Sequence, residues 1–265
     1  MNIVNGWWVA SPFADRPMVT YPAHGSNYYT DRACNPIALV WHEPQEPADN
    51  YESTPVYFAS PNRDASTTYY GDSDGDLYQL VPLDRAPIAN GLKNRPLPRF
   101  NDGGPEFGAY SLNMQTHSVE VEGYTATIQQ TMTQAQYQGC VDLAVLTMVL
   151  YDLPRNPLRV GLAHSMLADD RSDGTWIATK SGIPQEATNR VLKLERDINE
   201  LKALAAAAAL RLNGVDKRLD DADKRLDGQE ALLTSILPPL VAGNDALAYQ
   251  RLRYIYAAAN RPYPK

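Results

Sequence analysis

Ile37-Ala38-Leu39-Val40-Trp41-His42 is the stretch whose reading decides the fold. An apolar run of this length, rich in β-branched and aromatic residues, is a short buried strand, and it ends on a histidine. Around it lie elements of the same kind. Residues 66–71 and 77–81 flank Asp72-Ser73-Asp74-Gly75-Asp76, where Asp-Gly favours a tight hairpin turn. Residues 118–122 alternate Val with Glu, the two-residue period of a strand. Residues 159–163 read as a last strand leading into His164. Between them, residues 133–151 carry Val141, Leu143, Ala144, Leu146, Val149 and Leu150 at helical spacing, with Thr133 placed to cap the helix. Strands interleaved with helices predict an α/β fold, a mixed sheet flanked by helices.

The chain changes character after residue 183. Up to there it is rich in Pro, Gly, Tyr, Asn and Asp; from about 187 Ala, Leu, Lys, Arg, Glu and Asp take over, with no proline from Gln185 until Pro238. Ser181-Gly182-Ile183-Pro184 reads as the linker, because Gly and Pro interrupt helices. Val191, Leu194, Ile198, Leu201, Ala205, Ala208, Leu212, Val215, Leu219, Ala222, Leu226, Gln229, Leu233 and Ile236 follow three- and four-residue steps, and all but Gln229 are apolar. Asp216-Lys217-Arg218-Leu219-Asp220 recurs seven residues on as Asp223-Lys224-Arg225-Leu226-Asp227. Heptads sustained this long predict a long C-terminal α-helical coiled coil with a partner along its seam. The mixed seam does not choose between dimer and trimer, and a hairpin folding back on its own domain is the alternative. The expected organisation is a domain at 1–183 with its core at about 34–176, a coiled-coil stalk at 187–240, and a short helical segment at 241–265.

Composition excludes several function classes. The 265 residues carry a formal net charge of -7 and no basic patch, so nucleic acid is not an expected partner. The start of the chain has neither a basic n-region nor a long apolar h-region, so no secretory leader is expected. No apolar run reaches the roughly 20 residues of a membrane span. Cys34 and Cys140 could pair, but two cysteines imply no disulfide framework, and a loop thiol plus a buried helix thiol is the simpler expectation.

His42 and His164 both stand at predicted strand ends, and two such histidines in one sheet can converge. Asp173 follows nine residues after His164 in Arg171-Ser172-Asp173-Gly174. Two imidazoles and a carboxylate are the three-ligand shell of a catalytic zinc site whose fourth position stays open. Asp169 and Asp170 compete with Asp173 by proximity. The segment His24-Gly25-Ser26-Asn27-Tyr28-Tyr29 is either the lining of a glycan groove or a packed surface loop.

These segments, in this order, resemble the zinc-dependent N-acetylmuramoyl-L-alanine amidases of the type 2 class, which share a fold with peptidoglycan recognition proteins. Residues 37–42 resemble the opening strand that ends in the first zinc histidine. Ala65-Ser66-Thr67-Thr68-Tyr69-Tyr70 and Asp74-Gly75-Asp76-Leu77-Tyr78-Gln79-Leu80-Val81-Pro82 resemble the Ser-x-His-Tyr, Asp-Gly and Tyr-Gln-x-Val segment. His117-Ser118-Val119-Glu120-Val121-Glu122-Gly123 resembles the Gly-Ile-Glu strand, and Thr133-Gln134-Ala135-Gln136 the start of the long helix. The resemblance covers about residues 34–176.

It implies that His42, His164 and Asp173 hold Zn²⁺, that Glu120 is the general base, and that Arg171 stands near the developing oxyanion. The chain departs from the pattern at Thr68, where a His is common; at Thr67, where some members have a Tyr; at Gly174, usually Pro; and at Ser118, usually Gly. The implied substrate is bacterial peptidoglycan at the bond between N-acetylmuramic acid and L-alanine. A coiled-coil stalk in addition resembles phage tail-tip and fibre proteins. The expectation is therefore a tail-associated cell-wall amidase in the virion, a homo-oligomer with a trimer favoured, in contact with other phage tail proteins. A lysis endolysin, in the host cytoplasm before release, and a non-catalytic wall-binding tail module are the alternatives.

Overall fold

The computed structural model describes residues 3–9, 11, 16–44, 53–90, 100, 104–124, 126–167 and 171–242, with side chains as far as 231. Six strands form its main sheet: β1 Met18–Thr20, β2 Ala38–His42, β3 Tyr69–Gly71, β4 Leu77–Gln79, β5 Thr116–Val121 and β6 Leu162–Ala163. Their order across the sheet is β6-β2-β5-β3-β4-β1. All neighbours run parallel except the β3–β4 hairpin. Gly75 turns that hairpin with φ +85°, and a Cβ there would fall 2.5 Å from the Ala135 carbonyl oxygen. Both facts demand glycine. The predicted strand at 159–163 is shorter than expected. Pro157–Arg159 forms a 3-10 turn, and only Leu162–Ala163 pair with β2.

The helices are α1 Ser53–Ala59, α2 Leu112–Gln115, α3 Gln134–Leu150, α4 His164–Leu167, α5 Thr175–Thr179 and α6 Ile183–Ala242, with a further turn at Ile128–Thr131. The Thr133 hydroxyl accepts from the Gln136 N–H at 3.0 Å, so the expected cap is in place. α3 lays Cys140, Val141, Leu143, Ala144 and Met148 in one cluster with Leu39, Trp41, Tyr69 and Val119 from the sheet. Burying each large apolar side chain here contributes about 1.5–3 kcal/mol. Val149, expected on this face, is exposed. It lies two turns past Asp142, on the polar flank where Asp142 pairs with Arg16 and Arg190. Cys140 is a buried free thiol and Cys34 a half-buried one. The other face of the sheet holds Ala38 and Val40 against Leu112, Leu162 and Leu167.

Side chains alternate across a strand. Leu39 and Trp41 therefore face α3, while Ala38, Val40 and His42 face the opposite side. The register pairs His42 with Glu120, and Trp41 with Ala163, one residue before His164. Three residues expected to carry chemistry are thus gathered at one end of the central strands before any loop is considered.

α6 begins at Ile183, ahead of the change in composition at 187. Pro184 sits in its first turn, where the missing N–H costs nothing. The break in the chain is Gly182, with φ +83°. Ile183, Ala187 and Val191 join the core cluster of α3. Arg190 reaches Asp142 at 2.7 Å, and Arg155 reaches Glu195 at 2.7 Å. Val191, expected as the first residue of the coiled-coil seam, is instead part of this core. The chain divides into compact units at 1–196 and 197–265. In the second unit every described residue from Ile198 to Ala231 is exposed. Leu201, Leu212, Leu219 and Leu226 are between 59% and 65% exposed. The segment expected at 241–265 lies, beyond Ala242, outside the described residues. No helix among the described residues is long and apolar enough to cross a membrane.

Candidate metal centre

Of the four histidines in the chain, two meet. His42 ends β2, His164 opens α4 directly after β6, and their ring centroids lie 4.4 Å apart. Asp173 reaches between them. Its Oδ2 is 3.1 Å from His42 Nδ1 and 3.2 Å from His164 Nδ1. Both rings are buried. The competitors Asp169 and Asp170 lie outside the described residues.

The loop that delivers Asp173 is closed by two hydrogen bonds and a close backbone approach. The Asp173 carbonyl accepts from the Ser165 N–H at 3.3 Å, and the Gly174 N–H donates to Glu43 Oε2 at 2.6 Å. Gly174 has φ +77°, and a Cβ there would stand 1.9 Å from the Trp41 carbonyl oxygen. Proline, usual at this place in the resembled family, is locked near φ -65° and has no N–H for Glu43. At Gly174 the chain therefore takes a left-handed backbone that proline could not adopt.

Asn90 sets the state of His42. Its Nδ2 donates to Thr116 Oγ1 at 2.6 Å, and Thr116 Oγ1 donates to the Leu112 carbonyl at 2.6 Å. That leaves Asn90 Oδ1 as an acceptor, 2.6 Å from His42 Nε2. The network assigns the proton to Nε2, so Nδ1 turns a lone pair toward the carboxylate of Asp173. Burial holds the His42 pKa below its ordinary value, although Asp173 acts in the other direction. Burial raises the Asp173 carboxyl, but the neighbouring His164 and His42 rings outweigh it and keep it below the usual carboxylate range. A lone pair facing a carboxylate calls for a cation between them.

The donor set fits a divalent cation that takes nitrogen and oxygen ligands, zinc among them. The three donor atoms lie within 4.8 Å of one another. Asp173 Oδ2 lies 3.1 Å and 3.2 Å from the two imidazole nitrogens, so one small cation would be within reach of all three donors. Asn90 supplies the outer hydrogen bond that metal-ligating histidines require.

These side chains line a cavity of about 800 Å³, together with Glu120, Arg171, Glu43, Tyr57, Asp64 and Asn113. Glu120 is half-buried beside His42, and Arg171 is exposed. Other residues singled out in the sequence go elsewhere. Thr67 Oγ1 donates to Ser118 Oγ, and Thr68 Oγ1 lies 3.0 Å from His117 Nδ1. His117 is buried, 2.7 Å from the Tyr151 hydroxyl and 3.3 Å from Arg32. Burial, then the charge of Arg32, hold its pKa well below the ordinary value. The departures at Thr67, Thr68 and Ser118 therefore belong to a buried network that ties strands together. The 24–29 loop packs: Asn27 Nδ2 donates to the carbonyls of Phe58 and Ser60. None of its residues is among those lining the cavity.

The sequence profile of the N-acetylmuramoyl-L-alanine amidases (Amidase_2) matches residues 32–176. The chain belongs to this amidase family. As a type 2 amidase its head is of the class that acts on peptidoglycan. No curated protein sequence matches the chain. Solved structures similar to this amidase include a selenomethionine AmpD derivative (21% identity, TM-score 0.45, covering 65% of this chain and 90% of that one). A mutant endolysin from Bacillus subtilis is 13% identical with TM-score 0.47, covering 65% of this chain and 99% of its own. PlyL is 18% identical with TM-score 0.46, covering 64% and 96%.

Sequence reasoning missed Asn90, Glu43 and the positive φ of Gly174. Asn90-Gly91 carries only a turn signal, and Glu43 reads as a polar residue after a strand. Both act across large sequence separations, where local pattern says nothing.

Proposed function

We propose that the amidase head hydrolyses the lactyl amide between N-acetylmuramic acid and L-alanine, with zinc held by His42, His164 and Asp173. The observation that carries this reading is the convergence of two Nδ1 atoms on one carboxylate oxygen in the lining of the cavity. Bound there, zinc supplies a Lewis acid that polarises the scissile carbonyl and acidifies water toward a pKa of about 7. Glu120, paired in register with His42, accepts the proton of the attacking water. The C–O bond forms as the carbonyl becomes a tetrahedral oxyanion, and the Arg171 guanidinium at the cavity stabilises that charge. Glu120 returns the proton to the nitrogen of L-alanine as the C–N bond breaks. The products are the muramoyl carboxylate and a free amine. Asn90 and Glu43 perform no step; they orient His42 and the Asp173 loop.

The second part of the proposal is that α6 is an oligomerisation stalk, a trimer favoured, and that the chain is a phage tail-associated enzyme that opens the wall at infection. The exposed apolar seam supports self-association, because leaving it bare has no solvation benefit, and virion proteomics separates a tail protein from an oligomeric lysis endolysin.

Zinc analysis together with assay of L-alanine amino groups released from purified walls tests the reading. Stoichiometric zinc and a new N-terminal alanine are expected. Zinc-free protein with undiminished release would sink the metal assignment, and zinc-loaded protein without release would leave a wall-binding module.

A further inference from the structure

Val191 is buried in the head, and Arg190 and Glu195 are engaged there by Asp142 and Arg155. The free seam of α6 therefore opens at Leu194, which is 48% exposed. Taking Ile198, Ala205, Leu212, Leu219 and Leu226 as position a and Leu201, Ala208, Val215 and Ala222 as position d places Asp197, Arg211, Arg218 and Arg225 at position g. Lys202, Asp216, Asp223 and Glu230 fall at position e. In a parallel coiled coil in register, each g residue meets the e residue five positions later on its neighbour.

The pairs are Asp197–Lys202, Arg211–Asp216, Arg218–Asp223 and Arg225–Glu230, and all have opposite sign. The heptad between the first and second of them offers Leu204 and Ala209, an apolar pair. An antiparallel arrangement sets g against g and e against e, so an alignment that overlaps residues 211–230 of the two helices brings arginine against arginine and acid against acid. The first pair has the reverse polarity of the others. Slipping the helices by one heptad opposes Asp197 with Ala209 in one direction and with Glu195 in the other.

We infer that the α6 surface from Leu194 onward docks further copies of this same chain, parallel and in register, with the g and e charges selecting both orientation and register. This rests on the self-association reading above and adds the direction and register in which the helices pair.

The test uses the full-length chain. One variant carries Arg211→Glu, Arg218→Glu and Arg225→Glu; a second carries Asp216→Lys, Asp223→Lys and Glu230→Lys. Each alone is expected to associate about tenfold or more weakly than the wild type in sedimentation equilibrium, because three g–e pairs are turned from attraction to repulsion. Mixing the two restores association. Ala205→Cys, in a Cys34→Ser background, is expected to form a disulfide to its own counterpart under mild oxidation, since only a parallel in-register pair brings residue 205 to itself. A first variant that associates as tightly as the wild type, or that prefers the wild type over the second variant, overturns the inference while self-association stands. A wild-type chain that is monomeric at micromolar concentration overturns both. Wall hydrolysis enters none of these readouts.

Discussion

Two stretches of α6 each carry an apolar stripe at helical spacing, and their surroundings are opposite. Ile183, Ala187 and Val191 are almost fully buried, whereas Leu201, Leu212, Leu219 and Leu226 are more than half exposed. In the first stretch the apolar face is covered by α3 and the sheet; in the second, nothing in the chain's own described structure covers it. Helical periodicity specifies which face is apolar and is silent about what buries it. That is why composition places the boundary near 184 while packing places it after Arg196.

The sharpest separation of the two regions comes from the metal shell. His42→Ala or His164→Ala is expected to abolish bound zinc and bring wall hydrolysis to background, while leaving the association of α6 unchanged. Metal analysis and sedimentation of the same sample read both. Stoichiometric zinc in either variant would remove that histidine from the shell, and altered association would show that head and helix are not independent.

Glu120→Gln tests the head alone. It should keep zinc and lose about 10²–10⁴-fold in turnover, the usual contribution of a positioned acid–base group. An unchanged rate would move the proton transfer to another group in the cavity; Tyr69 and Tyr70 are poor candidates, both being fully buried in the sheet.

Asn90→Leu should weaken zinc binding about 10–100-fold, as loss of an outer hydrogen bond to a metal-binding histidine does, with thermal stability of the zinc-free protein little changed. Competition with a chromogenic chelator measures the affinity. The ¹⁵N shifts of His42 report whether the proton has left Nε2, a signature that a packing defect alone would not produce. Equal affinity and an unchanged tautomer would make Asn90 a spectator.

The smallest effect bears most directly on the comparison. Val191→Ala should cost the head about 2 kcal/mol in denaturant unfolding, from a truncated and fully packed side chain. Leu201→Ala removes more apolar surface yet should leave head unfolding unmoved and weaken association instead. If both variants acted on the same transition, the division after Arg196 would be wrong.

Much of the fold was legible because its signals are local. The apolar run at 37–42 became the central strand β2, Asp74-Gly75 turned the hairpin, and Thr133 capped α3. Val149 was misplaced because the apolar face of α3 is narrower than its run of apolar residues: the flank it shares with Asp142 serves ion pairs. The strand expected at 159–163 was overlong, since Pro157 starts a 3-10 turn before the chain can pair with β2. At the site, His42 and His164 were legible from their strand ends. Their partners were not, because Asn90 and Glu43 act through contacts 48 and 131 residues away.

The sequence by itself determined the kinds of element, their order, the family and the seam of α6, since all of these follow from the period of apolar residues and from short motifs. Tertiary structure alone decided that His42, Glu120 and His164 share one end of one face, through the parallel register of β2 with β5 and β6. It also decided that Gly174 must adopt a left-handed backbone for Asp173 to arrive, because the Trp41 carbonyl occupies the space a side chain would need. Register and close approach are relations between distant segments, and only packing creates them.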